Sequence, residues 1–281
     1  MIGRRALLAA SIGLAIAPLA HAQAPRRRIV SVGSDVTEIL YALGLGGDVV
    51  AVDSTSQFPR EATQLPQVGY LRSLAAEGIL SLRPTHLVAS GDVGPPATIT
   101  QLRRAGVSVL VQPTSRSAAD VQARILAIGR AFGAQVQAQA LGAAVADRMA
   151  QAEREIAAMR GRPRALFLIS MNAGSPNAAG RDTAADAIIS LAGGINPVTA
   201  YEGFRALSLE AAAVAQPDVV LMMPHTLSAA GGIDGVARNP AIALTPAGRA
   251  RRIRTIDGAY VLGFGPRLPE AALDLARLIR G

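Results

Sequence analysis

Residues 134–160 read AQVQAQALGAAVADRMAQAEREIAAMR, a run of alanine, glutamine, glutamate and arginine without proline. These are strong helix formers, and the spacing predicts one long helix. About twenty-five helical residues span roughly 37 Å at 1.5 Å per residue. Gly161 and Pro163 stop it. On the N-terminal side, "RIVSVG" (28–33), "DVVAVD" (48–53), "HLVAS" (86–90) and "VSVLVQ" (107–112) read as buried strands. "SDVTEILYALGL" (34–45), "SLAAEGILSL" (73–82) and "PATITQLRRAG" (96–106) read as the helices between them. Asp35 and Glu38 stand at capping-box spacing at the first helix start. After the long helix the alternation resumes with "ALFLIS" (165–170), "DTAADAIISLAGG" (182–194), "DVVLMM" (218–223), "RRIRTID" (251–257) and "PEAALDLARLIR" (269–280). Strands alternating with helices imply a mostly parallel sheet covered on both faces. The expected architecture is two α/β lobes, 23–133 and 161–281, joined by one long backbone helix at 134–160. Such a helix holds the lobes at a nearly fixed separation, with ligand in the groove between them.

The chain has 281 residues, 50% of them hydrophobic and 17% charged. Its first residues combine a basic start, an apolar run over 6–20 and the small-x-small triplet Ala20-His21-Ala22. That is the pattern of an export signal covering 1–22. Arg4-Arg5 leaves both the general and the twin-arginine routes open. No cysteine is present, which excludes disulfides and a lipid on an N-terminal cysteine. The expectation is an exported, soluble, monomeric protein of the periplasm, not lipid-anchored. Net charge is +8, carried entirely by arginine, and losing Arg4 and Arg5 with the signal leaves about +6. The arginines are scattered and no aromatic stacking platform accompanies them, which argues against nucleic acid. An anionic small ligand suits the charge better.

Enzyme constellations are missing. The sequence holds no G-x-S-x-G elbow, P-loop or dinucleotide fingerprint. Beyond the signal only His86 and His225 remain, too few for a usual zinc site. His86 opens an apolar strand and reads as structural. His225 follows "VVLMMP" at a strand end, where the ligand grooves of α/β lobes lie. Tyr70, in "LPQVGYLRSLAAEGILSLRP" (65–84), is one of only four tyrosines in a chain without tryptophan. One reading makes it a half-buried loop aromatic. The other makes it a metal ligand: a phenol ionises more readily beside a cation, which Arg72 supplies, and a hard anionic oxygen suits ferric iron. Tyrosine is one of the axial ligands of haem.

The run "RRIVSVGSDVTEILYALGLGGDVVAVDSTSQFP", then "LPQVGYLRSLAAEGILSLRPTHLVAS" and "GPPATITQLRRAGV", resembles the haem-binding periplasmic proteins of bacterial haem ABC importers. "AGRDTAADAIISLAGGINPV", "YEGFRALSLE", "GGIDGVARNPAIALTPAG" and "GFGPRLPEAALDLARLI" extend the likeness over nearly all of the chain beyond the signal. The resemblance implies that Tyr70 is the axial ligand to ferric haem, carried as transported cargo, and that Arg72 steadies its phenolate. It implies delivery to an inner-membrane ABC permease with its ATPase, without catalysis. It offers Arg181 and Arg205 as propionate partners and Tyr201 and Phe204 as further haem-supporting residues, to which the strand-end position adds His225. One acidic residue per lobe would dock on the permease: Asp92 in the first, Asp234 or Glu202 in the second, where Ser228 replaces the expected acid.

Two further departures from the family pattern stand out. Met171 occupies the place where relatives that stack two haems carry a histidine, so one haem is expected, with Met171 packing on the porphyrin or binding iron weakly. Phe204 stands where tyrosine is common. Asp182 reads most simply as the N-cap of the helix that follows it. The rival readings are a ferric-siderophore or corrinoid binder on the same scaffold, and an exported enzyme.

Overall fold

A computed structural model describes residues 27–172 and 175–281. The export-signal reading of residues 1–22 lies outside them. Four short apolar strands, β1 (Ile29–Val32), β2 (Val49–Val52), β3 (His86–Ala89) and β4 (Ser108–Val111), pair in parallel in the order β2-β1-β3-β4. Around them pack α1 (Ser34–Ala42), α2 (Ala76–Ser81), α3 (Pro96–Arg104) and α4 (Ala118–Phe132). The long helix α5 runs Gln135–Ala158, within two residues of its expected ends.

The second sheet contains β5 (Ala165–Asn172), β6 (Ser175–Ala179), β7 (Phe204–Ala206), β8 (Val219–Met222) and β9 (Ile253–Thr255), in the order β7-β6-β5-β8-β9. Strands β5, β8 and β9 run parallel, while β6 and β7 add an antiparallel flank. That flank was not expected. "SPNAA" and "FRA" carry little strand propensity, and β6 exists because β5 offers its edge as a template. The helices of this lobe are α6 (Ala184–Leu191), α7 (Leu209–Ala215), α8 (Pro224–Ala229), α9 (Gly232–Ala237), α10 (Pro240–Ala243), α11 (Pro246–Arg249), α12 (Gly258–Leu262) and α13 (Leu268–Arg280).

Helix α5 buries Ala138, Gly142, Val145, Met149, Ala152 and Ile156, a stripe at helical spacing. It turns back on α4 through Gly133, whose φ of +73° closes α4 in a conformation that glycine adopts freely. The two helices touch closely: a Cβ on Gly129 would sit 2.3 Å from that of Ala138. One apolar cluster runs through α1, α4, α5, both sheets and α13, from Ile39 and Ile125 to Phe167, Val219 and Leu275. The lobes therefore share a core.

The expected capping box at α1 is not formed. Gly33 precedes the helix without a side-chain cap, and both acids are used elsewhere. Asp35 forms a buried ion pair with Arg124 of α4. Glu38 accepts two hydrogen bonds from Arg267, 3.0 and 2.5 Å, across the lobe boundary. The Arg267 guanidinium also lies 3.9 Å from the centre of the Phe58 ring and 4.8 Å from that of Tyr260. Burial raises the Glu38 pKa above the ordinary carboxylate range, against the pull of Arg267. This bridge ties α1 to the start of α13 behind the groove.

Candidate functional site

The C-terminal ends of the strands from both sheets, and the loops that follow them, face one groove of about 1230 Å³. Ligands of α/β proteins bind at such strand ends. From the first lobe come the N-terminus of α1 (Gly33 to Asp35), the loop after β2, the Tyr70–Arg72 segment, and the loops after β3 and β4. The second lobe adds Ile169, Phe204, Met223 and Leu262 as apolar surface, with the first residues of α6, α8 and α12. Helix N-termini leave backbone N–H groups unpaired and favour negative charge, and α1 and α6 present theirs here.

Tyr70 is displayed by a tight, well-anchored turn. Gly69, at φ +96°, accepts a hydrogen bond from Ser54 N–H at 2.8 Å, and Tyr70 C=O accepts one from Ser73 N–H at 2.8 Å. Leu71 and Leu74, which follow it, are buried in the first lobe, so the loop is pinned while the tyrosine stays 46% exposed in the groove. The rare aromatic is thus held out to solvent and not packed into the core.

Arg72 also lines the groove, where its guanidinium donates to Asp92 at 2.8 Å. Its partner is Asp92, twenty residues on in the loop after β3, which sequence reading did not foresee. Asp92 thus also lines the groove, its part-exposed carboxylate paired with an arginine of the same chain. Asp234, on α9, is likewise paired, with Arg251.

Phe204 and His225 line the groove as expected, His225 on the first turn of α8. Four expected contacts lie outside the lining. Tyr201 turns into the second lobe, its single hydroxyl proton shared between the Ala178 and Arg205 carbonyls, each 3.3 Å away, and burial raises its pKa. Arg205 stacks over that ring at 5.5 Å, and Arg181 pairs with Glu202 at 3.4 Å. Met171 packs against the second lobe's core with Leu168, and Ile169, on the opposite sheet face beside an irregularity in the β5–β6 register, lines the groove instead. Asp182 is not the N-cap. Thr183 caps α6 by accepting from Asp186 N–H at 3.0 Å, and Asp182, at φ +55°, faces the groove. His86 is structural: its Nδ1 meets Thr85 Oγ1 at 2.8 Å, its ring lies 5.3 Å from Phe132, and burial lowers its pKa.

The groove holds polar residues that sequence reading missed: Ser115, Arg116 and Arg124 after β4, and Asn177 on β6. Arg124 alone left a trace in the sequence. It falls among Val121, Ile125 and Ile128 on the apolar stripe of α4, where a charge signals a buried partner. Among the described residues no group of three or more His, Cys, Asp or Glu side chains could hold a metal ion, and no helix is long and apolar enough to cross a membrane.

Comparison with known proteins agrees with this geometry. The periplasmic haem-binding protein RhuT from Roseiflexus sp. RS-1, in apo form, is 41% identical with a TM-score of 0.86, covering 90% of this chain and 97% of its own. The periplasmic haem-binding protein BhuT in complex with two haems matches at 37% identity and TM-score 0.86 over the same shares. YvrC of Bacillus subtilis (strain 168), an uncharacterized ABC transporter substrate-binding lipoprotein, is 26% identical over 256 residues, 90% of this chain and 80% of YvrC. The family model described as "Periplasmic binding protein" matches residues 29–260. With both sheets and α5 inside that match, the chain belongs to the periplasmic binding protein family.

Proposed function

We propose that this protein captures ferric haem in the groove, with Tyr70 as axial ligand, and delivers it to an ABC importer of the inner membrane. The observation that carries the reading is the exposed Tyr70, held on a pinned turn in a groove with apolar surface from Ile169, Phe204 and Met223. Phenolate oxygen is a hard donor suited to ferric iron, and the apolar surface suits the faces of a macrocycle. The groove exceeds the range of about 300–1000 Å³ common for small ligands, as a large flat ligand requires. RhuT and BhuT, similar over nearly their whole length, are both haem-binding proteins. The protein acts as a carrier without catalysis, as a monomer in the periplasm, and offers no cysteine to hold a lipid.

A visible spectrum of the purified protein with added haemin tests this. A ferric-phenolate charge-transfer band is expected; an unchanged haemin spectrum would sink the reading and turn attention to a corrinoid or siderophore.

Two further outcomes follow from the groove. Arg72→Ala should weaken haem binding by about tenfold at neutral pH, less than loss of Tyr70. Without Arg72 the Asp92 carboxylate is left without its cation in the groove, where it repels an anionic cargo. Wild-type affinity in the variant would make Arg72 a bystander. Native mass spectrometry at low haem ratios should show a dominant one-haem species. Met171 lies outside the groove lining, and His225 is the one histidine among the described residues that lines it. A dominant two-haem species, as BhuT holds, would make His225 the candidate second ligand.

A further inference from the structure

Strands β5, β8 and β9 point their C-terminal ends at the groove, so their N-terminal ends form the far end of the second lobe. Arginine gathers there. Arg160, Arg162 and Arg164 lead into β5, Arg249, Arg251 and Arg252 lead into β9, and Arg280 closes α13. Hydrogen bonds to main-chain carbonyls join them into one surface. Arg280 donates to Arg160 and Gly161 at 3.3 and 3.1 Å, and Arg252 to Ile279 at 2.9 Å. Arg249 donates to Leu244 at 2.6 Å and Arg164 to Ala215 at 2.8 Å. Ala215, Leu244 and Ile279 lie at the C-termini of α7, α10 and α13, where cations are favoured. A carbonyl holds a guanidinium in place without cancelling its charge. Among the described residues the carboxylates that engage these seven arginines are Asp234, paired with Arg251, and Asp218, which accepts from the Arg164 backbone N–H at 2.7 Å. The surface is left strongly positive.

Apolar side chains stand in the same surface. Val214 and Leu244 are 80% and 77% exposed, the two highest values among the large hydrophobic residues described. Each is set beside an arginine: Leu244 carries the carbonyl that Arg249 holds, and Val214 precedes the one that Arg164 holds. Positive charge alone would suit any acidic surface. Bare apolar side chains among the arginines favour a bilayer, whose phosphates take guanidinium groups and whose headgroup boundary takes hydrocarbon. Docking by this end would also leave the groove clear, because the groove lies at the other end of the strands.

We propose that the far end of the second lobe docks on an anionic phospholipid bilayer, the arginines on lipid phosphates and Val214 and Leu244 in the headgroup boundary, whatever cargo the groove carries. Co-sedimentation tests this, with vesicles of phosphatidylcholine and phosphatidylglycerol in equal parts beside vesicles of phosphatidylcholine alone. Binding to the mixed vesicles should be at least about tenfold tighter. Salt near 1 M, where the Debye length is about 3 Å, should release the protein. Arg160 and Arg162 are exposed on the link between α5 and β5, so Arg160→Gln/Arg162→Gln should keep the fold. That variant should lose about ten- to thirtyfold in affinity, at a factor of about five per arginine near the surface. Val214→Ser/Leu244→Ser should lose about tenfold and keep the salt dependence. Equal binding to both vesicle types, no binding to either, or wild-type binding by the arginine variant would overturn the docking face. A serine variant that matches wild type would assign the face to charge on a partner protein and overturn the bilayer.

Discussion

Tyr70→Ala and Tyr70→Phe should each lose at least about a hundredfold in affinity for ferric haem while keeping the fold. Disturbing partners one step removed from a metal already costs 10–100-fold, so deleting the axial oxygen should cost no less. The phenylalanine variant is the sharper test, because it keeps the ring and removes only the oxygen. The fold should be indifferent: the side chain is 46% exposed, and the turn is held by Gly69, Leu71, Leu74 and backbone hydrogen bonds that neither change touches. Exposed substitutions of this kind stay within about 0.5 kcal/mol. Haemin titrations beside thermal melts separate the two effects. Wild-type affinity in both variants would remove the phenolate from the iron.

Arg124→Ala should give the largest loss of stability of any single change considered, about 3–5 kcal/mol, the cost of stranding one partner of a buried ion pair. Asp35 and Arg124 are 4% and 3% exposed, and burial pulls the Arg124 pKa down to about 10, so it stays charged at neutral pH. Without it the Asp35 carboxylate is buried against the N-terminal turn of α1 with no cation. Denaturant melts of wild type and variant test it. Replacing both partners by apolar residues of similar size should recover most of the loss; failure to recover would show that the pair does more than neutralise itself.

How much of this was legible depended on how local each signal was. Helix α5 could be read from composition, because its twenty-four residues hold strong helix formers and no proline. The parallel strands showed as apolar runs for the same reason. Strands β6 and β7 could not be read, since their conformation comes from pairing with β5 and not from their own residues. At the site, Tyr70 and Arg72 were visible through a compact motif. The Asp92 partner of Arg72 was not, because strand order, not sequence distance, brings β3's end to the Tyr70 turn. Asp35 and Glu38 show the opposite failure. Their spacing satisfies a local rule, yet two arginines from distant helices claim them.

The core shared by the two lobes, closed behind by the Glu38–Arg267 bridge, gives the binding protein the character of a rigid mould. Widening the groove would expose Phe167, Ile39 and Leu275 to water together, so thermal gaping is suppressed. Cargo then enters a cavity already shaped for it, and little configurational freedom is lost on loading. The residence time of the cargo is set by contacts inside the mould and not by the lifetime of a closed state. A transporter that unloads it has to compete for those contacts directly, prising at the rim of each wall.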